Sequence, residues 1–159
     1  MDQGSDSAYL NNDLSAGFLS KAKELKRRDY RVCGRVVRGN QLGRKLGFPT
    51  ANIEPHEATQ AIPDHGVYLV QVILEEQFFF GICNIGKRPT IGGTKVVTEV
   101  YIFNFDRDIY GKSVCLVFLE RLRKEKKFRN LDALVKQINK DKAKATSLLS
   151  EFHKDYTGC

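Results

Sequence analysis

The chain has 159 residues, of which 42% are hydrophobic and 28% are charged, so it is long enough for one domain with a real core. It has no apolar run near the roughly 18 residues that span a bilayer, and its polar, acidic start is unlike a signal peptide, so we expect a cytoplasmic protein. Lys and Arg outnumber Asp and Glu by 26 to 19, a net charge of +7 that favours an anionic partner. Charge alone does not choose among nucleic acid, a membrane surface and phosphorylated metabolites.

The amino-terminal segment predicts a helix that ends near Arg28, with Asn12 or Asp13 as its cap. Its apolar positions follow helical spacing and are Leu14, Phe18, Ala22 and Leu25. We therefore divide the chain into an arm with a helical connector at 1–29 and a main domain at 30–159.

The next ninety residues have the composition of β structure. The predicted strands are Tyr30–Arg38, Gly66–Leu74, Gln77–Asn84, Lys95–Phe105 and Ser113–Leu119. Glu75 and Glu76 separate two of them and predict a hairpin. Strands at this spacing without intervening helices indicate an antiparallel barrel or sandwich. We favour a closed barrel, over about 30–122, because strands this apolar would leave hazardous open edges.

A last helix is predicted over about 130–152, with Asn130 as its cap. Its apolar stripe consists of Leu131, Leu134, Val135, Ile138, Ala145 and Leu148.

The cysteines are scattered, and they are Cys33, Cys83, Cys115 and Cys159. They contain no CxxC pair, and the chain has only three histidines. A zinc site and a disulfide framework are therefore not expected in a chain of this size, and we predict reduced thiols.

The run from Gly39 to Asn52, GNQLGRKLGFPTAN, is the strongest functional signal. Its glycines recur every fourth residue beside Arg44 and Lys45, and free backbone amides in such loops bind anions. The run lacks the order of a P-loop or a dinucleotide fingerprint, and we expect that it does not open a helix. A flexible hairpin connection is the plain alternative.

Thr50 and Asn52 follow this loop directly. Pro49 favours an extended backbone before it, so a strand should begin there and place both side chains on one face. A hydroxyl and an amide oxygen side by side are hard ligands, which predicts a site for Mg²⁺ with nucleotide phosphates.

Glu99 is a carboxylate in the middle of an apolar, aromatic strand. Such a position is costly unless the group is paired or functional, and it suits a general base. The alternatives are a glutamate that faces water and one that pairs with an arginine.

Two further clusters stand out. The run Asn84–Thr90, NIGKRPT, is predicted to leave a strand into a loop that ends at Gly92 and Gly93, as either a ligand-contacting loop or a plain turn. Arg123, Lys126 and Phe128 offer cations for phosphate and a ring for stacking, or else a charged start to the last helix.

In this order the motifs resemble riboflavin kinase. The resemblance covers about 30–152 and includes GRVV at 34–37, the glycine-rich run, NIGKRPT, the Glu99 strand, DIYG at 108–111 and the segment 122–128. It implies a six-stranded antiparallel Greek-key barrel with a C-terminal helix. It also implies that ATP phosphorylates the 5′-hydroxyl of riboflavin to give FMN and ADP.

The resemblance also implies roles for single residues. Glu99 would be the catalytic base, and Thr50 and Asn52 would hold Mg²⁺. The nucleotide-binding residues would be Gly39, Arg44, Lys45, Thr50, Asn52, Ile102, Asn104 and Tyr110, with the choice between Arg44 and Lys45 left open. The flavin-binding residues would be Arg123, Lys126 and Phe128. The chain departs from many members at Tyr101, where they have histidine.

The predicted connector resembles the segment that follows the adenylyltransferase domain of bacterial bifunctional enzymes that make FMN and FAD. Whether the chain is fused to, excised from or independent of such a domain is left open. We expect a monomer that binds only these small molecules, with no nucleic acid or membrane as partner.

Two other functions remain open at this point. One is a basic barrel that stacks single-stranded nucleic acid on Phe78, Phe79, Phe80 and Tyr101. The other is a carrier that holds flavin without catalysis.

Overall fold

The structure is a computed structural model that describes residues 30–39, 42–57 and 62–157. They fall into two compact units, one up to Glu125 and one from Lys126. The predicted helix at 12–28 and Cys159 lie outside the described residues.

The first unit is a closed six-stranded barrel, as predicted. Its strands are β1 (Tyr30–Val37), β2 (Ala51–Pro55), β3 (Gly66–Leu74), β4 (Gln77–Thr90), β5 (Gly93–Ile102) and β6 (Ser113–Arg123). They are ordered β1-β2-β5-β4-β3-β6, and all neighbours are antiparallel. Because β6 returns to pair with β1, these apolar strands leave no open edge.

The alternation of side chains along the strands determines what lies inside the barrel. On β5, Thr98, Val100 and Ile102 are buried, whereas Glu99 and Tyr101 between them are only partly buried. Inside the barrel the Phe118 ring packs edge-to-face on the rings of Tyr30 and Tyr68, with centroids 5.7 and 5.3 Å apart. The interior is therefore filled by its own side chains, and the residues that remain for binding lie on the outer face and at the ends.

The two hairpins differ in how well the sequence predicts them. Glu75 and Glu76 form the expected turn between β3 and β4, with φ angles of 51° and 67° that match the twist of a two-residue hairpin. The predicted loop from Asn84 to Gly93 is wrong. The pairing of β4 with β5 continues to Thr90 and Gly93, because glycine and proline are tolerated in the exposed end of a two-stranded arm.

Two helices are described. α1 (Leu42–Lys45) is a single turn inside the glycine-rich run, so the expectation that this run opens no helix is wrong. It ends where the amide of Gly47, at φ 89°, donates to the carbonyl of Arg44 at 3.2 Å. α2 (Leu131–Thr157) begins as predicted, with the amide of Ala133 donating to Oδ1 of Asn130 at 2.9 Å. Within the part of the chain that the structure describes, no helix is long and apolar enough to span a membrane.

The prediction of reduced thiols is wrong for two cysteines. Cys33 on β1 and Cys115 on β6 are directly opposite in the ladder, with Cα atoms 4.0 Å apart, and they form a disulfide. They are 82 residues apart in sequence, so only the strand register brings them together. Cys83 is a buried free thiol.

Candidate active site

The predicted base and metal ligands lie on one patch of the outer face of the barrel. Asn52 on β2 and Asn84 on β4 are both directly opposite Glu99 on β5, so these three side chains point to the same face. Thr50, just before β2, donates its hydroxyl to Oε2 of Glu99 at 3.3 Å. A hydroxyl, two amides and a carboxylate are therefore adjacent, although no short-range pattern links the three strands.

Arg88 is a member of this patch that sequence reasoning did not single out. Its guanidinium forms an ion pair with the Glu99 carboxylate, whose side chain is only 13% exposed. The cation offsets the cost of removing that carboxylate from water. The run NIGKRPT was the available signal, but the pairing required β4 to continue as a strand past Gly86.

The backbone of Gly39 packs directly on the side-chain amide of Asn52. A Cβ added to Gly39 would overlap the Asn52 amide nitrogen and carbon. Glycine is therefore required here by the close approach of the loop to one predicted metal ligand, a more specific reason than loop flexibility.

Glycine is also required at position 86 by the close approach of another part of the chain. The carboxylate of Glu125 rests on Gly86, and a Cβ at this position would overlap that carboxylate. Glu125 is also 3.9 Å from Nδ1 of His65. The glycine in NIGKRPT therefore lets the chain just beyond β6 lie against β4.

A cavity of about 240 Å³ lies at the end of the barrel where β1 ends, β2 begins and β5 ends. It is lined by Val36, Arg44, Pro49, Thr50, Ala51, Val100, Ile102, Phe105, Asp106, Arg107, Asp108, Ile109 and Tyr110. Its wall combines apolar residues with two arginines and two aspartates. The apolar residues and the arginines suit a planar base that carries phosphates. Thr50 belongs both to this cavity and to the Glu99 patch, which joins the two.

Half of the predicted nucleotide-binding residues line the cavity. Arg44, Thr50, Ile102 and Tyr110 line it, and Arg44 rather than Lys45 is the basic residue of α1 that does so. Gly39, Lys45, Asn52 and Asn104 are not among its lining residues. Asn104 is exposed, in a turn with φ 54°, because β5 ends at Ile102 and not at Phe105 as predicted.

The loop after β5 supplies much of the cavity wall. Six of the thirteen lining residues are the continuous segment 105–110, in which the resemblance implied a nucleotide-binding role only for Tyr110. The amide of Tyr110 donates to Oδ1 of Asp108 at 3.1 Å, and the Arg38 guanidinium lies 4.8 Å from the Tyr110 ring centre. The residues of this segment predict a turn, but they do not predict that the segment lies over the cavity.

The aromatic side chains near Glu99 pack on one another. Tyr101 lies edge-to-face between Phe48 and Phe103, with centroids 5.5 and 5.7 Å away. Phe79 packs on Phe105 at 5.0 Å, whereas Phe78 is 64% exposed. The four aromatics considered for nucleic-acid stacking therefore do not form one open platform.

The predicted flavin residues are divided between the two units. Arg123 ends β6, and its guanidinium donates to the carbonyl of Lys124 at 3.1 Å. Lys126 and Phe128 belong to the second unit, where the ammonium lies 5.8 Å from the ring centre. The flavin roles of these three residues stay predictions.

Comparison with known proteins identifies the family to which the chain is similar. The Flavokinase model, described as riboflavin kinase, matches residues 26–149. The chain is 44% identical over 136 residues to the bifunctional riboflavin kinase/FMN adenylyltransferase of Haemophilus influenzae, covering 85% of this chain and 44% of that protein. It therefore spans less than half the length of such curated relatives.

Two solved structures share the fold. Riboflavin kinase from Trypanosoma brucei superimposes with a TM-score of 0.51 at 25% identity, over 76% of this chain and 79% of that one. A Streptococcus pneumoniae structure named as a macrolide-efflux protein gives a TM-score of 0.75 at 34% identity, over 86% of this chain and 44% of that one. Since the family model covers the whole barrel and much of α2, the chain belongs to the riboflavin kinase (flavokinase) family.

Proposed function

We propose that this chain transfers the γ-phosphoryl group of ATP to the 5′-hydroxyl of riboflavin, giving FMN and ADP, and that residues 30–159 form the kinase domain. The observation that carries the proposal is the position of Thr50, which lines the cavity and also donates to Glu99. A phosphate donor in the cavity and a base on the outer face would meet at this residue.

The cavity is the proposed nucleotide site. Arg44 and Arg107 offer guanidinium groups to phosphates, and Val100, Ile102 and Ile109 offer an apolar surface to the base. Family membership supports ATP as the donor.

The donor set beside the cavity fits Mg²⁺. Thr50 and Asn52 present neutral oxygens on one face next to the Glu99 carboxylate, and hard oxygen donors with room for phosphate are what Mg²⁺ takes. When bound, the ion would neutralise charge on the transferring phosphoryl group. The proposed protein ligands are Thr50 and Asn52.

The proposed chemistry uses Glu99 as the general base. Its carboxylate accepts the proton of the riboflavin hydroxyl while that oxygen bonds to the γ-phosphorus and the bond from phosphorus to ADP breaks. The pairing with Arg88 orients the carboxylate before substrate arrives. Arg123, Lys126 and Phe128 are proposed to hold the flavin. Phosphoryl transfer depends chiefly on such positioning and charge stabilisation.

The direct test is product formation. Incubation with riboflavin, ATP and Mg²⁺ should yield FMN and ADP in equal amounts, separated by chromatography. Omission of riboflavin should prevent ADP formation, and a chelator should stop both. ATP hydrolysis without FMN, or no turnover of either substrate, would contradict the proposal. Steeply salt-dependent oligonucleotide binding without turnover would instead favour the nucleic-acid alternative.

Gly39→Ala provides a test of the metal site. The added methyl group would displace the Asn52 amide, which is the end of a flexible side chain, so the barrel should fold while the Mg²⁺ concentration for half-maximal rate rises about tenfold or more. Gly93→Ala is the matched control, since a Cβ there meets nothing within 4 Å. Equal Mg²⁺ dependence in the two variants would remove Asn52 from the proposed ligands.

The proposed product, FMN, would be the substrate of a further enzyme. The relative from Haemophilus influenzae is named as an FMN adenylyltransferase as well as a riboflavin kinase. We propose that FMN made here is consumed by an adenylyltransferase of that kind. The kinase itself is proposed to act as a cytoplasmic monomer on small molecules.

A further inference from the structure

We propose that Glu75 is a positioning residue for the nucleotide, because it holds the loop that forms one wall of the cavity. The inference rests on the proposed function of that cavity. Glu75 lies in the β3–β4 turn, outside the cavity, and would act through Arg107.

The contacts between the turn and the loop are all made by side chains. The carboxylate of Glu75 accepts from Nη2 of Arg107 at 2.7 Å through Oε1, and from Nζ of Lys112 at 3.0 Å through Oε2. Nη1 of Arg107 also donates to Oε1 of Gln77 at 3.2 Å. Both carboxylate oxygens are thus used, on two loop residues five positions apart, and the guanidinium is held at two of its nitrogens.

The contacts of Arg107 fall between the two points at which backbone hydrogen bonds hold the loop. Its ends are held by backbone hydrogen bonds, from Phe103 to the carbonyl of Phe80 at 2.8 Å and from Gly111 to the carbonyl of Val36 at 2.9 Å. Between them lie the lining residues 105–110, with Arg107 in their middle. Fixing this segment before the nucleotide arrives lowers the entropy lost on binding.

The turn places Glu75 in a conformation that glutamate does not favour. Its φ of 51° is left-handed, where Gly, Asn and Asp are the usual residues. Hydrogen bonds from Lys112 and then Arg107 lower the pKa of Glu75 below its ordinary value, so the carboxylate is charged at neutral pH.

The expected effect is on binding more than on stability. The Glu75 and Arg107 side chains are 47% and 44% exposed, and ion pairs this open to water contribute little to folding. Removal of the ion pair would still lower the affinity for nucleotide, because this loop forms part of the cavity wall that the nucleotide would contact.

The test compares Glu75→Gln with Glu76→Gln. Both remove one negative charge from the same turn, and both residues have positive φ, but no ion pair of Glu76 is found among the described residues. Glu75→Gln should raise KM for ATP about three- to tenfold, with kcat and KM for riboflavin changed less than about twofold. Glu76→Gln should match the wild type. Equal KM values for ATP in the two variants would overturn the inference.

A double-mutant cycle tests the route through Arg107. If Glu75 acts through Arg107, the KM for ATP of Glu75→Gln/Arg107→Gln should be clearly lower than the product of the two single effects implies. Strictly multiplicative effects would refute a shared route.

Calorimetric titration with Mg-ADP separates this inference from the proposed function. A wild-type protein that neither binds Mg-ADP nor makes FMN would refute the proposed function. A wild-type protein that binds, with unchanged affinity in Glu75→Gln, would refute only the role of Glu75.

Discussion

Glu99→Gln is expected to slow FMN formation by about a hundred- to ten-thousand-fold, the range in which a positioned general base contributes. The amide keeps the shape of the side chain and can still accept from Thr50, but it is too weak a base to take the hydroxyl proton. Nucleotide affinity should be retained, since Glu99 does not line the cavity. Single-turnover FMN formation and Mg-ADP titration measure the two quantities separately.

Glu54→Gln is the matched control for this variant. Glu54 lies two residues after Asn52 on β2 and is exposed to solvent. The substitution removes the same charge from the neighbouring strand β2 without touching the Thr50–Glu99 contact, so the rate should be unchanged. A rate for Glu99→Gln close to that of Glu54→Gln, with both proteins folded, would exclude Glu99 as the base.

Gly81→Ala is expected to cause a large loss of stability, about 1–3 kcal/mol in the free energy of unfolding. Gly81 on β4 is opposite Ile102 on β5, and an added Cβ would overlap the backbone carbonyl oxygen of Tyr101. A backbone atom held in a strand ladder cannot move as a side-chain end can. The two strands would have to separate locally, and one of them, β5, carries Glu99.

Chemical denaturation measures this effect, with Gly93→Ala as its control. Gly93 lies at the start of β5 on the same hairpin, and a Cβ there is in open space. That variant should be as stable as the wild type, or slightly more stable because the unfolded chain loses freedom. If the two alanine variants had the same midpoint, close packing of β4 on β5 at Gly81 would be disproved.

The strands and the β3–β4 hairpin could be predicted because they depend on local patterns. A nearly continuous apolar run at Gly66–Leu74, and two turn residues before the next apolar run, specify a hairpin whatever surrounds it. Where the apolar pattern became less regular, the predicted bounds of the strands became less accurate. The polar run after Asn84 was interpreted as a loop, but its pairing with 93–98 keeps it extended as part of β4.

The amino-acid sequence by itself determined the barrel class, the last helix with its Asn130 cap, and the shared face of Thr50 and Asn52, because each follows from neighbours a few residues apart. The tertiary structure alone decided that Arg88 pairs with Glu99, that Glu75 reaches Arg107, that Cys33 meets Cys115, and that residues 105–110 cover the cavity. The physical reason is strand register. A closed barrel brings residues from distant parts of the chain opposite one another, and no local pattern specifies which residue faces which.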